Sequence, residues 1–306
     1  MSKIYTAFRL LHEPYKFIGQ IVQRCSKYIR NDVWYISVLF RCKMGYSLNL
    51  DNPKTFQEKL QWLKLYDRNP KYTNLVNKYS VKDYVSDIIG AQYVIPTLGV
   101  WDSAEDIDWE RLPDEFVLKT THDGGGGGII ICRDRFAFDK EKAICKLKKS
   151  LNRDVYWDLR EWPYKNVSRK IIAEPLLKDP KKNDLQDYKF FCFNGKVKFF
   201  KIDYGRFVDH HANYYDRDAN LLPFGELRMP PVEGHVELIP DNLDEMIRLA
   251  EKLSQGMSFV RVDLYNVNSS IYFGELTFYP ASGFGPFTSK EWEYRVGEYL
   301  VLPTIR

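Results

Sequence analysis

The stretch FVLKTTHDGGGGGIIIC (residues 116–132) decides the fold, because five consecutive glycines separate two apolar runs. Glycine destabilises a regular element by roughly 0.5–1 kcal/mol relative to alanine, so the glycines are expected to form a loop. The flanking segments FVLKTT (116–121) and GIIICR (128–133) have strand composition, and two strands joined by a glycine-rich loop predict a hairpin. A P-loop or a dinucleotide fingerprint would instead lead into a helix.

Bare backbone of this kind commonly binds phosphate, because its N–H groups can approach the oxygens closely. The hairpin is therefore expected either to fold over a polyphosphate as a lid or to be a simple surface loop. The candidate phosphate-binding residues are Gly124, Gly125, Gly126, Gly127 and Gly128.

Lysines in strand-like segments favour a lid that folds over a polyphosphate. Strand alternation places Lys119 on one face with Val117, and a lysine on a central strand is costly without an anionic partner. Lys189, in DYKFF, has the same character. Either side chain could instead extend its ammonium group to solvent. Taken with the glycine hairpin, the two lysines favour a nucleotide site, and His122 is a further candidate because it leads from the strand into the glycines.

Two carboxylates are expected to face each other across a later hairpin. Asp263 in RVDLY and Glu275 in FGELTF lie on strands joined by a short turn, and Arg261 shares the Asp263 face. Mg²⁺ is usually bound by one or two carboxylates together with substrate phosphates, and an arginine beside it can stabilise a transferring phosphoryl group. The alternative is a cross-strand salt-bridge cluster.

The order of the elements predicts an α+β fold with antiparallel sheets, not the alternating pattern of a doubly wound fold. Helices come first and hairpins dominate the remainder. The features that carry this prediction are helices within 1–48, a capping box at Thr55 and Glu58, a helix over 73–88 ended by Gly90, a turn at Asn194-Gly195, and a helix over 242–256 with Asn242 as N-cap.

Charge is concentrated at the start of the chain. Residues 1–50 contain eight Lys/Arg and two acidic residues, a net +6, whereas the whole chain carries +4. This basic head is expected to contact an anionic membrane or polymer, or to be an ordinary solvated helical surface. The total charge does not indicate a nucleic-acid partner.

Five cysteines without a CxxC pair, and no secretory signal, predict a cytoplasmic protein, at most at the inner face of the membrane.

These motifs in this order, from about residue 50 to 290, resemble the TupA-like ATP-grasp proteins of bacterial surface-polysaccharide loci. The carrying stretches include NPKTFQEKLQWLKLYDRNP, DEFVLKTTHDGGGGGIIIC, IIAEPLL, LQDYKFFCFNGKVKFF, RVDLYNV and FGELTFYPASGFGPF. The resemblance implies two small α+β lobes with antiparallel sheets sandwiching ATP, preceded by a helical region. The expected boundaries are 1–90, 91–175 and 176–306.

The resemblance also implies residue roles. Lys82 and Lys119 would approach the nucleotide, and Glu174 with Pro175, Leu176 and Leu177 would form the adenine hinge. Asp263 and Glu275 would hold Mg²⁺, with Thr277 where many ATP-grasp proteins have asparagine, which puts a second Mg²⁺ site in doubt. The pair Asn77-Lys78 stands where the family often has Asp-Lys.

The function that the resemblance implies is an ATP-dependent carboxylate–amine ligase that forms an amide through an acylphosphate. The expected partners are ATP, a carboxylate-bearing sugar of a surface polysaccharide or its precursor, and an amine such as an amino acid. The backbone of ASGFG (281–285) is expected to receive acylphosphate oxygens. Two alternatives remain open: a glycosyltransferase using the DxD motif Asp216-Arg217-Asp218, and a glycan-binding protein with a degenerate ATP site.

Overall fold

Two antiparallel sheets organise the part of the chain that the computed structural model describes, residues 14–124, 127–179, 185–205 and 208–304. The strands are β1 Gly99–Trp101, β2 Phe116–Thr120, β3 Ile129–Cys132, β4 Ile171–Pro175, β5 Asp187–Phe193, β6 Lys196–Tyr204, β7 His211–Asp216, β8 Phe259–Val267 and β9 Ser270–Thr277. The helices are α1 Pro14–Arg24, α2 Asp32–Met44, α3 Phe56–Tyr66, α4 Lys71–Val76, α5 Val81–Ile89, α6 Lys140–Leu151, α7 Val155–Leu159, α8 Leu243–Leu253 and α9 Lys290–Tyr299.

The smaller sheet has the strand order β1-β4-β2-β3 and contains the predicted glycine hairpin. β2 and β3 pair antiparallel with Phe116 opposite Cys132 and Lys119 opposite Ile129, which confirms the hairpin. Phe116 and Leu118 belong to a buried apolar cluster on one face of this sheet, so Lys119 is directed to the other face, as the alternation predicted.

The larger sheet has the order β7-β6-β5-β8-β9, and its central strand β5 is buried along its whole length. Asn194 and Gly195 both have positive φ, 48° and 75°, which confirms the predicted hairpin turn between β5 and β6. α8 packs on this sheet through a core that includes Met246, Ala250 and Leu253. The sheet therefore holds β8 and β9, which carry the candidate carboxylates, on a rigid base.

The prediction for the start of α8 was right in position and wrong in mechanism. Asn242 occupies the N-cap position, but its side chain makes no capping hydrogen bond to the helix. Its Nδ2 donates to the Ser269 carbonyl, and its Oδ1 accepts from Asn266 Nδ2 at 2.6 Å. The side chain thus ties α8 to the β8–β9 turn, a tertiary contact that overrides the local cap.

α3 begins with the predicted capping box, in which the Thr55 side chain and the Glu58 side chain each bind the other residue's backbone N–H. The single helix predicted over 73–88 is wrong, because the chain forms α4 and α5 with a break between them. Asn77 Oδ1 accepts from the backbone N–H groups of Tyr79 and Ser80, and such local side-chain bonds compete with helix formation. Gly90 ends α5, as predicted.

Within residues 1–48, α1 and α2 confirm the predicted helical character, while residues 1–13 lie outside the described residues. Asn31 caps α2 by accepting from the Trp34 N–H. α2 buries Tyr35, Leu39 and Phe40 against a cluster that also contains Phe284. The N-terminal helices are thereby packed against the loop that follows β9. Cys132 and Cys192 are buried, as expected.

Candidate active site

A cleft of about 560 Å³ lies between the two sheets. One wall comes from the smaller sheet and the α4–α5 break, and the other comes from β8 and β9. Its lining includes Lys78, Lys82, Val117, Lys119, Ile129, Ile131, Glu174, Pro175, Leu176, Leu177, Tyr265, Phe273 and Glu275. The fold thus brings together residues that are almost two hundred positions apart in the chain.

Glu174 binds two lysines of the cleft at once. Its Oε1 lies 2.5 Å from Lys82 Nζ and its Oε2 lies 2.5 Å from Lys119 Nζ. Burial would raise the pKa of the Glu174 carboxyl, but the Lys119 and Lys82 ammonium groups together hold it below its usual value. Glu174 therefore lies at the cleft as expected, and in this structure it neutralises the lysines that the resemblance assigned to the nucleotide.

The two lysines differ in how many of their donors are engaged. Lys82 Nζ also donates to the Ile95 carbonyl and to Thr97 Oγ1, each at 2.8 Å, so all three of its protons have acceptors. Glu174 is the only hydrogen-bond acceptor of Lys119 Nζ within the described residues. Because an ammonium has three donors, Lys119 retains more capacity to bind an added anion than Lys82 does.

Lys78 is a cleft residue that our candidate set did not include. The Asx turn at Asn77 directs it into the cleft, where its Nζ donates to the Asp123 carbonyl at 2.8 Å. Burial lowers the pKa of Lys78, and the neighbouring Glu275 carboxylate opposes that shift. The signal was present in the sequence, since the pair Asn77-Lys78 stands where the resemblance places an Asp-Lys pair, and asparagine favours a turn of this kind.

The cleft is apolar on the sides away from the lysines. Val117, Ile129 and Ile131 come from the β2–β3 hairpin, and Leu176 and Leu177 follow β4. The predicted hinge residues thus line the cleft at the carboxyl end of β4. A pocket with apolar walls and a few convergent charged groups is the usual form of a small-molecule site.

The carboxylates of the last hairpin face each other as predicted. Asp263 pairs with Glu275 in the β8–β9 register. Arg261 donates to both oxygens of Asp263, at 2.7 and 2.6 Å, and its Nη2 lies 3.4 Å from Glu275 and 3.0 Å from Thr277 Oγ1. Burial would raise the pKa of Glu275, but Lys78 and Arg261 lower it below its usual value. The four side chains form one charged cluster, from which Glu275 reaches the cleft.

This donor set fits Mg²⁺ in chemical type, since carboxylate and hydroxyl oxygens are the ligands that hard cations prefer. The Asp263 carboxylate is less available to a metal ion, because both of its oxygens already accept hydrogen bonds from Arg261. No group of three His, Cys, Asp or Glu side chains arranged for a metal ion occurs within the described parts of the chain. Glu275 is consequently the carboxylate best placed to hold an ion that is also bound by a ligand in the cleft.

Eight described residues of the predicted set do not line the cleft: His122, Gly124, Gly127, Gly128, Lys189, Arg261, Asp263 and Thr277. Lys189 is buried on β5, where it pairs with Asp187 and lies 3.3 Å from Asp263 Oδ2 and 3.6 Å from Asp203 Oδ2. Lys189 therefore binds carboxylates within the sheet, including Asp263 of the charged cluster. His122 Nε2 lies 3.1 Å from the Ser150 carbonyl and 3.2 Å from that of Arg153, and burial lowers its pKa. His122 connects the end of β2 to the end of α6.

The described glycines of the hairpin are closely packed. A Cβ at Gly128 would lie 1.9 Å from Thr120 Oγ1 and 2.5 Å from Ser150 Oγ, and one at Gly124 would lie 3.0 Å from the Tyr164 hydroxyl. At Gly127 the neighbour is Asp123 Oδ2 at 2.9 Å. Gly125 and Gly126 lie outside the described residues. Glycine is thus required at Gly128 by close packing between the hairpin and α6.

The segment ASGFG (281–285) follows β9 in an unusual conformation. Ala281, Ser282 and Gly283 have φ of 47°, 55° and 65°, which costs roughly 1–3 kcal/mol for each non-glycine residue. The Ser282 N–H donates to the Tyr279 carbonyl and the Phe284 N–H to that of Ala281. Two of the N–H groups expected to receive acylphosphate oxygens are therefore already bound to nearby carbonyls.

Glutamines of α3 hold this segment. Gln61 Nε2 donates to the carbonyls of Ser282 and Gly283, and Gln57 Nε2 donates to that of Gly285. Ser282 Oγ donates to Glu161. The strained backbone is thereby fixed by its neighbours on several sides.

The DxD motif lies at the end of β7, apart from the residues that line the cleft. Asp216 accepts from the backbone N–H groups of Asp218 and Asn220 and from the Asn220 side chain. Asp216 is thus bound within its own turn.

Comparison with known proteins identifies a family match and several similar structures. The sequence model described as TupA-like ATPgrasp matches residues 58–301. No curated protein matches the chain. Solved structures that match include a D-alanine–D-alanine ligase from Bacillus anthracis, with 18% identity, 67% of this chain, 57% of that chain and a TM-score of 0.39. D-alanyl-alanine synthetase A from Vibrio cholerae matches with 13% identity, 74% of this chain, 63% of that chain and a TM-score of 0.44. The chain spans less than two thirds of either protein.

Proposed function

The chain belongs to the TupA-like ATP-grasp family, and on that premise we propose that it is an ATP-dependent ligase that joins a carboxylate to an amine. One observation carries the proposal. A cleft between two antiparallel sheets has lysines Lys78, Lys82 and Lys119 on one wall and Glu275, with Arg261 beside it, on the other. Cations on one wall and a carboxylate on the facing wall suit a nucleoside triphosphate bound with a divalent cation.

The apolar and cationic regions of the cleft would bind different parts of ATP. The base of ATP suits the walls made by Val117, Ile131 and Leu176, and its phosphates suit Lys119 and Lys78. Phosphate oxygens would share Lys119 with Glu174, since that ammonium binds one anion and retains free donors. Glu174 thus keeps the lysine positioned and its charge neutralised before the nucleotide binds.

Phosphoryl transfer would take place at the Arg261–Glu275 end of the cleft. A substrate carboxylate oxygen attacks the γ-phosphorus, the bond to the β-phosphate oxygen breaks, and ADP leaves with its electron pair. Arg261 is held by Asp263 and Thr277, so its guanidinium can stabilise charge on the transferring group without reorganising. Glu275, with Asp263 and Thr277 beside it, would hold Mg²⁺, and the ion would supply further neutralisation of the phosphate charge.

The second step forms the amide. The amine attacks the acyl carbon of the acylphosphate, phosphate leaves, and the amine loses a proton. We propose that the acceptor is a carboxylate-bearing sugar of a bacterial surface polysaccharide or its precursor and that the amine is an amino acid. The support for this acceptor class is the family resemblance alone. A cytoplasmic location belongs to the same proposal.

The experiment that tests the function is a product assay with a matrix of carboxylates and amines. Uronic-acid oligosaccharides and free amino acids are supplied singly and in pairs with ATP and Mg²⁺, and ADP and phosphate are measured. Release should require both substrates. Glu275→Gln should reduce turnover at least a hundredfold, ~2.7 kcal/mol of barrier, while retaining the fold. Glu298→Gln, an exposed carboxylate on α9, is the matched control and should be unchanged.

Two outcomes would replace the ligase. Turnover of a nucleoside-diphosphate sugar without ATP, unaffected by Glu275→Gln, would identify a glycosyltransferase and direct attention to Asp216 and Asp218. Glycan binding with no ATP binding by calorimetry would identify a binding protein.

A further inference from the structure

Six large apolar or aromatic side chains are exposed within residues 15–34, at the start of the described chain. Tyr28 is 86% exposed and Trp34 is 50% exposed, and Ile18 and Ile21 on α1 are 44% and 45% exposed. We call Tyr15, Ile18, Ile21, Tyr28, Val33 and Trp34 the N-terminal patch. We propose that the N-terminal patch binds the surface of an anionic phospholipid membrane. The proposal does not depend on the reaction that the cleft catalyses.

The charge around the patch selects the partner. Residues 14–31 contain four basic residues and no acidic residue. Arg24 and Lys27 are exposed, and neither takes part in an ion pair with any described residue. Exposed apolar side chains interspersed along the chain with exposed basic side chains are complementary to anionic lipid headgroups over an acyl region.

The residue types also suit a membrane surface. Tyrosine and tryptophan are enriched at membrane–water interfaces because one end of each ring system is apolar and the other is polar. Gly19 faces α2, since a Cβ there would lie 3.1 Å from Cys42 Cβ, and Ile18 and Ile21 remain exposed. No described helix is long and apolar enough to cross a membrane, so the contact proposed is peripheral.

The patch is held rigidly to the remainder of the protein. Arg160 is buried, and its Nε donates to Asp32 Oδ1 at 2.8 Å. Its Nη2 donates to the Ser26 and Ile29 carbonyls, also at 2.8 Å. The α1–α2 connection and the start of α2 are therefore fixed relative to the segment after α7, and α1 packs on α2 at Gly19, so membrane binding would give these elements one orientation.

The test is co-sedimentation of the full-length protein with phosphatidylcholine vesicles and with vesicles that also contain phosphatidylglycerol. Wild type should bind the anionic vesicles and lose binding at high salt. Each basic residue near such a surface contributes about a fivefold factor, so Arg24→Gln/Lys27→Gln should weaken binding about 30-fold. Ile18→Ser/Ile21→Ser should weaken it at least tenfold.

Matched variants separate the patch from general surface effects. Val236→Ser/Leu238→Ser changes two apolar residues that are more exposed than Ile18 and Ile21, and Arg248→Gln/Lys252→Gln removes two exposed charges from α8. Both should bind vesicles as wild type does. Circular dichroism and thermal unfolding of every variant establish that the fold is retained.

Three results would overturn the proposal. The first is equal binding to neutral and anionic vesicles, and the second is equal loss in the patch and control variants. The third is a dimer in light scattering that Ile18→Ser/Ile21→Ser converts to a monomer, without any vesicle binding by wild type. Because no ATP or acceptor is present, failure here leaves the ligase proposal intact, and failure of the ligase assay leaves this one intact.

Discussion

Glu174→Gln is the substitution that best separates the two roles open to this residue. In the structure its carboxylate binds Lys82 and Lys119, each at 2.5 Å. The family resemblance instead implies a contact with the adenine. Glutamine keeps the shape of the side chain but removes the charge, so the two lysines would lose their common counter-ion.

The expected cost follows from the burial of the three groups. Removing one partner of a buried ion pair costs ~3–5 kcal/mol. Glu174 is 5% exposed, but the Lys82 and Lys119 side chains are 13% and 19% exposed, so water reaches both lysines and the lower value, ~3 kcal/mol, applies. For a chain of 306 residues, this lowers the melting temperature by about 5 °C.

ATP affinity should change in the opposite direction. In wild type, the Glu174 carboxylate offsets the charge of Lys119 and repels the phosphates, and in Glu174→Gln it does neither. We expect ATP to bind up to about tenfold more tightly, a gain of ~1.4 kcal/mol. Thermal unfolding and titration calorimetry measure the two effects on the same protein.

The control for Glu174→Gln is Glu115→Gln. Glu115 pairs with Lys178, and both side chains are more than a third exposed, so its loss should cost less than ~1 kcal/mol. The double variant Glu174→Gln/Lys119→Met should recover ~1 kcal/mol or more, because it removes an uncompensated charge. Unchanged stability of Glu174→Gln would refute the role of the carboxylate as a counter-ion. A tenfold loss of ATP affinity would show that Glu174 contacts the nucleotide.

Two further predictions concern the lysine that we did not predict and the glycine that packs most tightly. Burial lowers the pKa of Lys78, so its ammonium form is complete only below that lowered pKa, and ATP affinity should fall as pH rises through it. Lys78→Met should weaken ATP binding about tenfold and abolish this pH dependence, which calorimetry over a series of pH values measures. Gly128→Ala would place Cβ 1.9 Å from Thr120 Oγ1 and should cost ~1–3 kcal/mol in chemical denaturation; an unchanged midpoint would contradict the packing argument.

Much of the fold could be predicted because local and tertiary preferences agree. The β2–β3 hairpin, the Asn194-Gly195 turn and the Thr55–Glu58 capping box all depend on residues close in sequence. The facing of Asp263 and Glu275 follows from strand alternation and a short turn. In each case the signal is a backbone requirement that few other residue types satisfy.

The wrong predictions concern side chains for which two alternative hydrogen-bonding or ionic partners were possible. Asn77 bonds its own turn and breaks the predicted helix, and Asn242 bonds the β8–β9 turn instead of capping α8. Lys189 has the sequence signature of a ligand-binding lysine, yet its partners are buried carboxylates of the same sheet. Sequence alone indicates that such a group needs a partner, but the sheet order decides which one it finds.

Residues before position 58 contact the segment that follows β9, although the family match begins at residue 58. Gln57 donates to the Gly285 carbonyl at 2.9 Å, and Phe40 packs with Phe284 in one apolar cluster. Thr55 supplies the cap of α3, the helix whose Gln61 binds the carbonyls of Ser282 and Gly283. The left-handed backbone at Ala281 and Ser282 is unfavourable by itself. It persists because α2 and α3 supply the hydrogen bonds and apolar contacts that fix it, so the N-terminal helices are part of what shapes the segment beyond Glu275.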